Sequence, residues 1–354
     1  MFNFNNNFSI KLLLGFRLLL GQYCEFKTSK IIRVLLMFYC FVFHILMCLV
    51  IHTYYDSIKL IELLLYIKLL KILVPVKVIT NLCLSLFYKE KYFLIFCKNL
   101  ETIDMFLKYN KKCDACITIG IFSVIIFGQL IFEIVIFYPR DIIYGLEKFV
   151  DLVLFLNLII PYLIYEMYWQ RMKYLRLFLQ SKCVLSDDVN IKIFHLKKFV
   201  QIYKHLLDQV GKANRAIKVK MFFDIIFSFL KGLIDISVGI KYLIQLDSYQ
   251  HFHIVTLILL PILNLSFYLN GVIFLDLVYD EYENIKASLV MEQVKCEDNK
   301  LHEEIVIALE YLEIRPPRYS VWRIFPLNFN LITAFVNNSV TYIVVLLSFK
   351  FSSK

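Results

Sequence analysis

Several long apolar stretches of this sequence carry a few residues able to ionise or to offer hydrogen bonds: Gln129 and Glu133, Asp151, Asp235 and Lys241. Such groups are costly in an apolar medium. They mark either a ligand or ion site, or an interhelical pair such as Glu133 with Lys241. Asn157 and Asn264, with Tyr138, Tyr162 and Tyr242, fall at similar depths along their own stretches. Polar anchors among aromatic walls are what a small-molecule pocket requires. Gln129, Glu133, Tyr138, Asn157, Tyr162, Asp235, Tyr242 and Asn264 are therefore the expected ligand-binding set.

Other chemistry is thinly represented. No HExxH, GxSxG, Gly-rich phosphate loop or paired-carboxylate motif occurs, so nothing argues for an enzyme. Cys113 and Cys116 form a lone CxxC, whereas a closed zinc site needs two further ligands. A reversible lipid anchor at the membrane edge suits that pair better than a metal. His251 and His253 are expected as two solvated histidines in a loop. No cofactor and no metal are expected.

The elements that position these residues follow from composition. The chain has 354 residues, 60% hydrophobic, with a mean hydropathy of +0.67. Soluble domains average about 45–50% apolar. The excess is spread along the whole length, which predicts an integral membrane protein of helical type. The formal charge of +10 then reports basic loops. No Arg/Lys-rich tract or RNA-binding signature accompanies it, which sets nucleic acid aside. The early run Leu12 to Phe16 is cut by Arg17 and lacks a small-residue cleavage site, so no cleavable signal is expected.

Seven spans are predicted, at Val34–Thr53, Leu60–Tyr88, Ile117–Tyr138, Phe149–Trp169, Met221–Leu246, Ile254–Tyr279 and Phe329–Phe349. The segments on one side of them carry 29 Lys and Arg, against five on the other. That bias puts the N-terminus in the cytoplasm and the C-terminus outside, the reverse of a G-protein-coupled receptor. Span two carries Lys68, Lys71 and Lys77. Lys77 is expected to snorkel; Lys68 and Lys71 are expected on a face turned to partners or to a wet cavity. Pro75, Pro161 and Pro261 are expected to kink spans two, four and six. The outer loops are short, at Tyr54–Lys59, Pro139–Lys148 and Asp247–His253.

The inner connections are long and helical in pattern. Gln170–Lys220 repeats apolar residues at three-and-four spacing on both sides of Ser186-Asp187-Asp188, a turn and helix start. Asp280–Arg315 does the same before Pro316-Pro317 stops it. The first connection is basic and the second acidic, so the two are expected to pack together. The organisation is an N-terminal segment (1–33), a six-span bundle (34–279) with its inner helical loop (170–220), an anchor region (280–328) and a last helix with a short tail (329–354). No further domain is expected beyond that tail.

The last stretch, Phe329–Phe349, holds 21 residues without a charge. At about 1.5 Å per residue that length crosses the hydrocarbon core. It also carries Thr333, Asn337, Asn338, Ser339, Thr341 and Ser348, polar groups that a purely lipid-facing helix does not need. Its end, Thr341-Tyr342, five apolar residues, Ser348-Phe349, resembles the signature that closes the insect gustatory receptor family, with Ser348 in place of Gln. Leu327-Asn328, Leu331, Ile332 and Val336 resemble the run into that helix, and the inverted seven-span layout agrees.

The resemblance implies a tastant-gated cation channel of the plasma membrane of gustatory neurons. It implies a homo- or hetero-tetramer in lipid, each subunit giving its last helix to a central pore. Asn338, Thr341, Val345 and Ser348 share one helical face, the expected pore lining, with Val345 as the apolar constriction. Thr341, Tyr342 and Phe349 carry the motif. An odorant-type receptor of the same topology is the nearest alternative. A secondary transporter is a further one, disfavoured by the lack of an internal repeat.

Overall fold

A computed structural model describes residues 7–24, 28–57, 64–88, 91–107, 116–137, 142–184, 188–245, 251–317, 319–321 and 325–352. Among them the chain is almost wholly helical. In order come α1 (Asn7–Leu19), α2 (Lys30–Ser57), α3 (Leu64–Tyr88), α4 (Lys91–Leu107), α5 (Cys116–Phe137), α6 (Ile142–Leu156) and α7 (Ile159–Leu179). After a π-helical turn at Gln180–Val184 follow α8 (Val189–Gln245), α9 (His251–Lys295), α10 (Asn299–Ile314) and α11 (Phe329–Ser352). The only strands described are β1 (Ser320–Val321) and β2 (Phe325–Pro326), an antiparallel pair just before α11.

The described residues of all seven expected spans fall on helices, but their bounds differ from expectation in three places. Span four is two helices, α6 and α7, broken at Asn157-Leu158. Pro161 explains this: it has no N–H for the Asn157 carbonyl, and its ring excludes that carbonyl from a helical position. Pro161 therefore lies in the first turn of α7, where an N–H needs no partner, whereas Pro75 lies inside an unbroken α3. Second, α8 carries the inner extension and span five on one axis of 57 residues, about 85 Å long. No proline interrupts it. α9 likewise runs from span six into the acidic extension. Third, the expected loops are partly helical: α2 extends to Ser57, α6 begins at Ile142, and His251 and His253 open α9.

Three stretches among the described residues are long and apolar enough to cross a membrane: Lys30–Asp56, Ile67–Tyr88 and Phe149–Lys182. They differ in what surrounds them. α2 buries only a narrow seam, Cys40, His44, Met47, Ile51 and Tyr55, and leaves Leu35, Phe38, Val42, Ile45 and Leu49 exposed. A one-sided seam with an apolar outer face suits lipid. α7 is enclosed on all sides from Ile160 to Tyr168 and buries one face beyond, with Ile160, Leu163, Ile164, Tyr165, Tyr168, Met172, Leu175 and Leu179 at 0% exposure. α4, α5, α8 and α9 pack on it.

The basic and acidic extensions do pack against each other, and opposite charges meet at the seam. Arg176 pairs with Glu281 at 2.6 Å, Lys192 with Glu292 at 2.7 Å, Lys197 with Glu304 at 2.8 Å and Arg315 with Asp208 at 2.6 Å. Asp188 accepts from the Asn190 N–H at 2.8 Å and starts α8, as the sequence expected of that turn. Asp298 caps α10 in the same way. Buried Tyr203 and Tyr282 donate to the Arg315 and Leu312 carbonyls, which ties the end of α10 to α8 and α9. His195, between Phe178 and Phe194, is held below its ordinary pKa by burial and by nearby Lys182 and Lys198.

α1 folds back onto the bundle and inserts Leu14 and Arg17, with Leu20 buried in the turn that follows. The turn that follows depends on Gly21, whose φ is +75°, and an added Cβ would overlap the Phe43 ring of α2. Gly21→Ala combines left-handed strain with overpacking and should cost about 1–3 kcal/mol. Thermal unfolding of detergent-purified protein reads this directly. A change below about 0.5 kcal/mol would show that the turn relaxes freely.

Candidate functional site

The last helix is seated on α8 and α9. Leu331, Ile332 and Phe335 pack on the core, and Phe335 meets Phe229 of α8 edge-on at 4.6 Å between centroids. Two turns further, the Tyr342 hydroxyl lies 2.9 Å from Ser237 Oγ of α8. Ser237 Oγ also donates to the Leu233 carbonyl at 2.7 Å. A hydroxyl has one proton, so Tyr342 is the donor to Ser237. The expected pore set lies beside these contacts: Asn338, Thr341, Val345 and Ser348 are all exposed on the isolated chain. Thr341 and Ser348 bond back to the Asn337 and Val344 carbonyls, so their hydroxyls are satisfied whatever medium they face. The Phe349 side chain lies outside the described residues.

Two members of the expected ligand-binding set have described side chains, and both are interior. Asn157 sits in the α6–α7 break, where its Oδ1 accepts from Arg17 at 3.3 Å and from Lys220 Nζ at 3.4 Å. Arg17 also donates to Gln22 at 2.6 Å. Tyr162, 1% exposed, lies against Phe122, which in turn meets Phe155 at 4.9 Å. Gly271 of α9 approaches so closely that a Cβ there would stand 2.6 Å from the Tyr162 ring. Gln129 and Glu133 lie on α5, Asp235 and Tyr242 on α8 and Asn264 on α9. Their side chains, and Tyr138 and Cys113 as a whole, lie outside the described residues, as does the side chain of Cys116, the first residue of α5.

The structure adds a polar column that sequence reasoning missed. Lys77, Asn81 and Ser85 form a buried stripe on α3, and Lys220, Asp224 and Ser228 form another on α8. The two stripes face each other, with Lys77 Nζ 3.1 Å from Ser228 Oγ and the buried Asp224 within electrostatic reach of Lys77 and Lys220. The expectation for the span-two lysines is thereby revised. Lys77 turns inward because α8 offers it a carboxylate and a hydroxyl, which offset its desolvation. Lys71 pairs with Asp56 at 2.6 Å, and Lys68 is exposed. Polar residues recurring at i, i+4 and i+8 on both segments were the available signal.

Further buried charges fix the helices. Glu166, at 0% exposure, accepts from the Ile117 and Thr118 amides at 3.0 and 2.8 Å, so it caps the N-terminus of α5 from α7. Asp151, flagged in the sequence, meets Lys231 of α8 at 2.6 Å. Arg171 of α7 grips Asp104 of α4 with two bonds at 3.0 and 3.1 Å. Among the described residues no group of three or more His, Cys, Asp or Glu is placed to hold a metal.

No protein-family model and no curated protein matches this sequence. Solved structures do. The olfactory receptor OR5 of the insect Machilis hrabei in complex with eugenol aligns with a TM-score of 0.52 at 13% identity. That alignment covers 98% of this chain and 100% of the other. A second structure of the same receptor gives a TM-score of 0.53 at 12% identity, covering 98% and 99%. At such identity the likeness establishes architecture, and it extends end to end. The fold of this chain is that of the insect olfactory receptors.

Proposed function

We propose that this chain is a subunit of a ligand-gated cation channel of the plasma membrane, of the gustatory receptor type, that opens to small-molecule tastants. The observation that carries the reading is the state of α11. The helix is seated on α8 and α9, while Asn338, Thr341, Val345 and Ser348 are exposed on the isolated chain. Four copies arranged about those residues, in lipid, make a pore lined by amide, hydroxyl and isopropyl groups. The Thr341-to-Phe349 ending supports the gustatory type. An odorant-type receptor is the second reading, favoured by the eugenol-bound structural neighbour. A ligand that fits the open arrangement better than the closed one shifts the population towards opening.

The test has two stages. Tags at each terminus, stained before and after permeabilisation, should show the N-terminus hidden and the C-terminus accessible in intact cells. Whole-cell recording then compares sugars, alkaloids and amino acids with eugenol. Cation current to the first group supports the gustatory type, and current to eugenol alone supports the odorant type. A hidden C-terminus, or substrate flux without current, overturns the channel.

A further inference from the structure

We propose that Ser237 is a positioning residue for the pore: through its hydrogen bond with Tyr342 it sets the rotation of α11, and hence which way Val345 faces. This rests on the channel reading above and names the device by which the bundle holds its last helix.

Successive residues of a helix turn by about 100°, so Asn338, Val345, Thr341 and Ser348 all lie within about 40–120° of Tyr342, on the same side of it. Whatever fixes the azimuth of Tyr342 fixes that face. Two side-chain anchors are described along the α8–α11 contact. Phe229 against Phe335 is an apolar ring contact, which slides and tilts at little cost. The hydrogen bond between Tyr342 and Ser237 is directional and weakens steeply as the angle departs from linear. It therefore defines rotation in a way that the ring contact does not.

The acceptor is itself preset. Ser237 is 2% exposed, and its proton is committed to the Leu233 carbonyl, so its lone pair is aimed at α11 in advance. Phe229 and Ser237 are two turns apart on α8, and Phe335 and Tyr342 are two turns apart on α11. The two helices thus run parallel through the contact, and among the described residues the polar bond by which a twist or shift of α8 passes to the pore face is that of Ser237 with Tyr342.

The experiment is a double-mutant cycle read by single-channel open probability without added ligand, normalised to surface expression. Ser237→Ala and Tyr342→Phe should each change the ligand-free open fraction by roughly fivefold, the equivalent of one hydrogen bond. They should act in the same direction, and the double variant should change it no further. Ser237→Thr, which keeps the hydroxyl, should behave as the parent. Unchanged open fractions, or single effects that simply multiply, would overturn the proposal. Should the parent chain pass no current, the channel reading itself falls. The same four variants are then compared by thermal unfolding of purified protein, together with thiol labelling of Thr341→Cys in each background. Zero coupling in unfolding and unaltered labelling rates would overturn the positioning role independently of conduction.

Discussion

Arg171→Met should lower the stability of the detergent-purified chain by about 3–5 kcal/mol, among the largest single losses expected for this fold. The side chains of Arg171 and Asp104 are 2% and 1% exposed. The fork of the guanidinium meets both carboxylate oxygens. Removing the guanidinium alone takes two charge-assisted hydrogen bonds from a carboxylate enclosed between α4 and α7, and the chain must then hydrate it, protonate it or open. The pair as a whole is another matter. Its mutual attraction mainly offsets the cost of taking two charges out of water. The double variant Asp104→Leu/Arg171→Met should thus recover most of the loss, within about 1–2 kcal/mol of the parent. Thermal unfolding of the four proteins decides it. Equal losses in the single and double variants would mean that Arg171 acts through its packing and not through its charge.

The same residue shows where sequence reasoning works and where it stops. The helices were legible because span length, terminal caps and proline act locally: α11, the Asp188 start of α8 and the stop at Pro316-Pro317 all follow from residues within a turn of them. The charge match between the two extensions was legible as composition, and four ion pairs now lie along that seam. Which faces meet inside the bundle was not legible. Asp104 and Arg171 are 67 positions apart and Lys77 and Ser228 are 151 apart, and no local period selects one partner over another. Hydropathy also ends a helix where a membrane ends, yet α8 and α9 run on past that boundary because nothing in their backbones stops them. Span four is the converse. One uninterrupted apolar stretch became two helices because a single pyrrolidine ring at Pro161 outweighs the hydrophobicity around it. Of the candidate site, spacing alone puts Asn338, Thr341, Val345 and Ser348 on one side of α11. The anchor that aims that face, Ser237, could not: a lone serine in a helix ordinarily bonds its own backbone, and this one does that as well.

Val345→Ser should raise the ligand-free conductance by on the order of tenfold, because a narrow ring of isopropyl groups closes a pore by expelling water. In a four-subunit assembly each substitution replaces a dewetting surface with a hydroxyl. A gain of about 1.4 kcal/mol summed over the ring is sufficient for a tenfold shift. The strength of the test lies in its neighbour. Val344, on the same helix and equally aliphatic, is 56% exposed against 44% for Val345, so exposure alone does not separate the two. Orientation does. Val344 lies about 100° round the helix from Val345, in line with Val336 and Val340 on a purely aliphatic stripe suited to lipid. Val344→Ser should therefore leave the resting current at the parent level. Whole-cell recording at matched surface expression compares the two variants directly. A leak from Val344→Ser with none from Val345→Ser would move the pore to the Val336–Val340–Val344 stripe and place the polar face of Asn338, Thr341 and Ser348 at a subunit contact.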